Sequence, residues 1–162
     1  MIAQIRTAIA ALVLAAMTMV SAPALGSGYL QCAPFARMES GIQLFGNARD
    51  WWGQAAGRYE RGNVPQVGAV MAFASTRKMP MGHVAVVSGV VSPREILIDH
   101  ANWKRNQVSL GMSVMDISEA GDWSSVKVAY DPGQYGRAYP ISGFIYPASV
   151  AATPVKMAMN AE

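Results

Sequence analysis

The chain has 162 residues, 52% of them apolar and only 14% charged, with 13 Lys or Arg against 10 Asp or Glu for a formal net charge of +3. No basic run occurs, and no aromatic platform is interleaved with Lys and Arg, which excludes a nucleic-acid partner. A lone cysteine excludes an internal disulfide.

The N-terminus reads as an export signal. One charge at Arg6 precedes an apolar run from Ala8 to Val20, followed by Ala22-Pro23-Ala24, a small-x-small cleavage pattern. The apolar run falls short of the roughly 20 residues that a membrane-spanning helix needs, so no stable membrane insertion is expected after cleavage. Lipidation of Cys32 is disfavoured because Gln31 is too large for the small position before such a cysteine. The expected organisation is a signal peptide over 1–24, one domain over 25–147 and a small-residue, Ala-rich tail over 148–162. The exported domain keeps a weakly positive balance, which suits an anionic envelope polymer and also merely keeps a small protein soluble. A periplasmic or extracellular location follows from the signal.

Next in the chain comes Cys32. An exported thiol that cannot form an internal bridge is free or paired with another molecule. The ordinary role of such a residue is a small buried hydrophobe. Here, however, Phe35, Met38, Ile42 and Leu44 recur near helical spacing from Pro34 to Leu44, and proline suits a first helical turn. Cys32 therefore sits at or just before a helix N-terminus, where free N–H groups favour a thiolate. A second helix is expected from Ala48 to Tyr59, with Trp51, Trp52, Ala55, Ala56 and Tyr59 on its apolar face.

The remainder reads as strands: Ala69 to Ala74, His83 to Val91, Glu95 to Asn102, Val108 to Met115, Val126 to Tyr130 and Ile141 to Tyr146, separated by turn-rich segments. Helices first and strands later predict an α+β domain, with N-terminal helices packed on a mostly antiparallel sheet.

Outside the proposed signal the chain has two histidines. His83 opens Gly82-His83-Val84-Ala85-Val86-Val87, so a glycine turn delivers an imidazole at the end of an apolar strand. A solvent-facing strand end explains that position equally well until the histidine is paired with Cys32. On the next strand, alternation puts Ile96, Ile98, His100 and Asn102 on one face and Leu97, Asp99 and Ala101 on the other. Two polar residues thus continue an apolar face, and leaving them buried without partners costs roughly 1–3 kcal/mol each. Either the strand leaves the core there or those side chains bond to something specific, such as an imidazole needing orientation. Neither HExxH nor paired-cysteine spacing is present, so no metal is expected, and no cofactor.

With these residues in view, the chain resembles a cysteine, histidine-dependent amidohydrolase/peptidase (CHAP) domain, a papain-like family of cell-wall hydrolases. The resemblance lies in Gln31-Cys32, Gly46-Asn47-Ala48-Arg49-Asp50-Trp51-Trp52, Pro65-Gln66-Val67-Gly68-Ala69-Val70, Gly82 to Val87, Ile98-Asp99-His100-Ala101-Asn102-Trp103 and the closing Gly143-Phe144-Ile145-Tyr146-Pro147. It implies a papain-like fold in which Cys32 attacks a carbonyl, His83 takes up and returns a proton, and a polar residue on the following strand holds His83. In the family that strand usually ends with an acidic residue two before an asparagine. Here the acidic position is His100 while Asn102 matches the asparagine, so both are candidates, Asn102 being the closer papain analogue. A second departure is Ala69, where family members often carry Asp.

The oxyanion is expected to meet the Cys32 N–H and one further group, Gln31 or Tyr29, with Trp103 as another substrate-binding candidate. The loop from Ser75 to Met81, with Arg77 and Lys78, either lines the cleft or is an ordinary hairpin loop. The resemblance thus implies a monomeric enzyme acting on peptidoglycan stem peptides through an acyl-enzyme. The alternative is a catalytically inactive module of the same fold that binds the wall or a partner, and a third is an amidase or transferase acting on a small amide.

Overall fold

The structure, a computed structural model, describes residues 30–148. The expected signal segment lies outside the described residues, as do Tyr29 and the tail beyond Ala148. Among the described residues no helix is long and apolar enough to cross a membrane.

Two helices come first, α1 (Cys32–Ser40) and α2 (Ala48–Gln54), then seven strands: β1 (Glu60–Gly62), β2 (Val70–Phe73), β3 (His83–Ser92), β4 (Glu95–Ala101), β5 (Val108–Asp116), β6 (Ser125–Asp131) and β7 (Gln134–Tyr146). Helix α1 stops before Ile42 and Leu44 because Gly41 turns left-handed at φ 73° and its N–H closes on the Arg37 carbonyl. Ile42 and Leu44 are still fully buried, so their spacing reported burial correctly and helix length incorrectly. Helix α2 likewise ends at Gln54 rather than Tyr59.

The expectation of an α+β domain with helices laid on a sheet is overturned: most of the regular structure is strand, and the sheet closes on itself. Strands β2 to β6 follow in order, each antiparallel to the next, and β7 pairs with both β6 and β2. A six-stranded antiparallel barrel results, with β1 added beside the end of β7. Closure depends on the length of β7. Its first half, from Gln134 to Pro140, pairs with β6 (Asp131 to Ser125), and its second half, from Ile141 to Ile145, pairs with β2. That first half is largely exposed and contains Gly136 and Pro140, so it lacks the apolar alternation by which a strand is recognised. From sequence alone it reads as a turn-rich segment for that reason.

Barrel closure gives every wall strand an inside and an outside. The interior is filled by Met71, Phe73, Ala85, Val87, Ile96, Ile98, Val114, Val126, Val128 and Phe144. Outside, Val70, Ala72, Val84, Val86 and Ile145 meet the helical segment through Ala36, Ile42, Leu44, Trp51 and Ala55. Strand β2 is therefore buried on both faces, which accounts for its continuous apolar run. The chain folds its two short helices against one side of a barrel, and α1 begins at the barrel's mouth beside β3.

The second half of β7 passes very close to β1 and α2. Gly143 has φ 135°, and a Cβ there would lie 2.5 Å from the Gly62 carbonyl oxygen and 2.8 Å from the Trp52 ring. Gly143→Ala should lower unfolding stability by about 2 kcal/mol or more, through backbone strain and the collision together. Urea denaturation followed by tryptophan fluorescence checks this, and an unchanged midpoint would show that β7 does not need that approach.

Candidate active site

A cleft of about 850 Å³ opens at the mouth of the barrel, lined by Gln31, Cys32, His83, Asn102 and Trp103 but not by His100. Cys32 is the first residue of α1, half-buried. Its N-cap, Gln31, is extended at φ −123° and makes no side-chain capping bond, so the first helical N–H groups are not taken up by a cap. His83 opens β3 on the barrel-interior side and is 5% exposed. Gly82 makes this placement possible. Its φ is +67°, and a Cβ there would fall 2.7 Å from the Arg49 backbone nitrogen, whose N–H donates to the Met81 carbonyl at 2.8 Å. Helix α2 is thereby docked on the turn that presents the imidazole.

His100 faces the same interior and is fully buried. Its Nδ1 lies 3.0 Å from His83 Nε2. One neutral ring donates and the other accepts, and since Nε2 is engaged, Nδ1 is the His83 nitrogen left for the cleft. The sheet is built to aim His100 inward. The β4–β5 register shifts between Ile98 and His100, and on the outer face Asp99 Oδ1 accepts from the Gly111 N–H at 2.6 Å and the Ser88 hydroxyl at 2.9 Å. Bulges of this kind re-aim side chains next to functional sites. Asn102 also lines the cleft, but its Oδ1 accepts from the Asn106 N–H at 2.8 Å and its backbone is left-handed at φ 62°, so its carboxamide shapes the β4–β5 turn. The structure thus brings His83 to His100 and leaves Asn102 with a partner of its own.

Among the described residues no hydrogen bond joins the Cys32 thiol to either ring. The thiol instead neighbours the backbone N–H of Val84, the residue after His83, and those of Ala33 and Cys32 itself. Trp103 stacks on His100 (ring centroids 5.3 Å, 25°) and meets His83 edge-on at 5.0 Å. Phe73 and Tyr139 complete an aromatic wall, at 5.5 Å from His83 and 5.0 Å from Trp103. Gln31 and Trp103 line the cleft; Lys78 lines it and Arg77 does not. Sequence reasoning missed Phe73, Arg137 and Tyr139. Phe73 read as an ordinary strand residue, and the other two lie in the half of β7 that showed no alternation.

The CHAP-domain family model matches residues 23–102, a span containing Cys32, His83, His100 and Asn102. This chain belongs to the CHAP-domain family. Among solved structures, an N-acetylmuramoyl-L-alanine amidase from Staphylococcus aureus is similar at 22% identity over 68% of this chain, with a TM-score of 0.49. This chain spans 30% of that protein's length. No curated protein matches it.

Electrostatics in this CHAP domain favour neutral groups. Burial pushes the Cys32 thiol up from its ordinary value, and the neighbouring N–H groups offset this only in part. Burial also lowers His83 to about 3, with repulsion from His100 adding to the effect. His100 falls to about 4 through burial, opposed by the attraction of Asp99. His100 Nε2 is buried with no partner, and an imidazolium there would leave a charged N–H unsatisfied. The resting site therefore holds a neutral thiol and a pair of neutral imidazoles, of which His83 shares the cleft lining with Cys32.

A pH dependence of stability follows. The unfolded histidines titrate near 6.5, while the folded ones refuse the proton until about 3 and about 4. The unfolded state therefore binds more protons in that interval, and stability is complete above about pH 6.5 and lost as pH falls, by about 1.4 kcal/mol per pH unit for each histidine. Urea midpoints measured from pH 7 to 4.5 should fall on this slope, and His100→Asn should roughly halve it. A flat profile would mean that the pair is not buried in neutral form.

Proposed function

We propose that this CHAP domain is a peptidoglycan hydrolase that cleaves an amide or peptide bond in the stem peptides, with Cys32 as nucleophile and His83 as base. The observation that carries the reading is the His83 Nε2–His100 Nδ1 contact of 3.0 Å, which frees His83 Nδ1 for a cleft in whose wall the thiol begins a helix. Family membership supports the substrate class.

The chemistry runs from the neutral pair. His83 Nδ1 takes the thiol proton as the sulfur attacks the scissile carbonyl, so the thiolate forms during the reaction rather than before it. The carbonyl oxygen becomes an oxyanion, which the Cys32 N–H at the start of α1 is placed to bind, with the Gln31 side chain as second donor. His83 then returns the proton to the leaving amine, the C–N bond breaks, and a thioester remains on Cys32. Water, deprotonated by His83, attacks the thioester and releases the carboxyl product with the thiol restored.

His100 acts as a positioning residue. Its Nδ1 accepts the His83 Nε2–H, which selects the tautomer with a bare Nδ1 and stabilises the transient imidazolium. Asn102 contributes by shaping the turn that carries Trp103. The domain acts as a monomer over 25–147, exported by the segment 1–24 to the periplasm or cell exterior, with 148–162 as a tail.

Purified sacculi incubated with the wild type should release fragments with new amine and carboxyl ends, resolved by mass spectrometry, and Cys32→Ala should release none. Identical fragment patterns for the two proteins would end the proposal. His100→Ala should lower kcat by about 100-fold with little change in KM, and His100→Asn should recover part of the loss, because an amide can still accept from Nε2. Equal kcat in both variants and the wild type would remove His100 from the mechanism.

A further inference from the structure

Three cations, Arg37, Lys78 and Arg137, line the cleft, and no Asp or Glu does. The chain carries ten acidic residues, so their exclusion belongs to the site and not to the composition. The cations come from three separate parts of the fold: Arg37 from the last turn of α1, Lys78 from the β2–β3 loop and Arg137 from the first half of β7. Among the described residues the ion pairs are Arg49–Asp50 and Arg94–Asp116, so none of the three cleft cations has a carboxylate partner within 4.0 Å.

Two of them are held in place without one. The Arg37 guanidinium lies 4.7 Å from the centroid of Phe45 and donates to the Leu44 carbonyl at 3.4 Å. Arg137 lies 4.9 Å from the centroid of Tyr139. Phe45 and Tyr139 are themselves cleft residues. Stacking on a ring fixes the planar fork and leaves N–H edges free for a ligand, a geometry that suits a carboxylate. Tyr139 continues through Trp103 to His83 in steps of 5.0 Å each, so one receptor is tied by aromatic contacts to the imidazole. Lys78, exposed and without such an anchor, adds attraction as a point charge.

We infer that the cleft selects substrates bearing a free carboxylate near the scissile amide, with Arg37 and Arg137 as its receptors. The inference rests on the hydrolase reading for its substrate class, and names within it the stem peptides whose acidic residues are not amidated. Arg137 lies beyond the residues that match the family model, whereas Arg37 and Lys78 lie within them.

The test separates binding from turnover. With Cys32→Ala, calorimetry should show a synthetic stem peptide with free carboxyls binding about tenfold or more tightly than the same peptide with its side-chain carboxyls amidated, with the advantage shrinking as salt is raised. Placed in that background, Arg37→Gln and Arg137→Gln should each cut the acid-to-amide ratio by about threefold or more while melting curves stay cooperative. Equal binding of the two peptides, binding of neither, or a ratio unmoved in both arginine variants would overturn the inference. Retained acid selectivity together with no fragment release from sacculi by the wild type would instead refute the hydrolase reading and leave the selectivity standing.

Discussion

The structure depends on a strand that serves two partners. Strand β7 gives its first half to β6 and its second half to β2, and this shared pairing closes the sheet. A closed wall has a mouth, and inward-pointing side chains near that mouth are dry on one side and open on the other. His83 occupies that boundary, and His100 lies fully buried against it.

Burial sets the chemistry as much as it sets the fold. It raises the thiol and lowers both imidazoles, so it works against a resting ion pair. The helix start and the Val84 N–H act in the other direction, favouring negative charge on sulfur. A site balanced in this way stores no charge before substrate arrives. In the proposed mechanism, charge develops only as the proton moves, where N–H donors and the second imidazole are already oriented. The outer face of β4 contributes through Asp99, which ties β3, β4 and β5 together and keeps His100 turned inward.

Much of this was legible from spacing. Strands β2 to β6 fall close to their expected ranges, because half-buried or fully buried strands write their burial into the chain as alternation or as an apolar run. The placement of Cys32 at a helix start and of His83 at a strand start was legible for the same local reasons. The polar continuation of the β4 face also marked His100 and Asn102 as residues that either leave the core or bond to something specific. What stayed hidden was β1, the first half of β7 and therefore the closure, since strands held by backbone hydrogen bonds near solvent leave no apolar pattern. Which of His100 and Asn102 meets His83 was hidden as well. Both share a face in the sequence pattern, and only the left-handed turn at Asn102 withdraws its carboxamide to Asn106.

By itself the sequence determined the local states: where strands run, which face of each is apolar, where a thiol meets a helix start and where a glycine presents an imidazole. These depend on neighbours a few residues away, through side-chain periodicity and backbone sterics. The tertiary structure alone decided that the sheet is a barrel, that two histidines 17 residues apart touch, and that three cations from distant segments surround one cleft without an acid among them. Those outcomes depend on which strand edges meet and on how much water remains between them, and neither is encoded in any short stretch of chain.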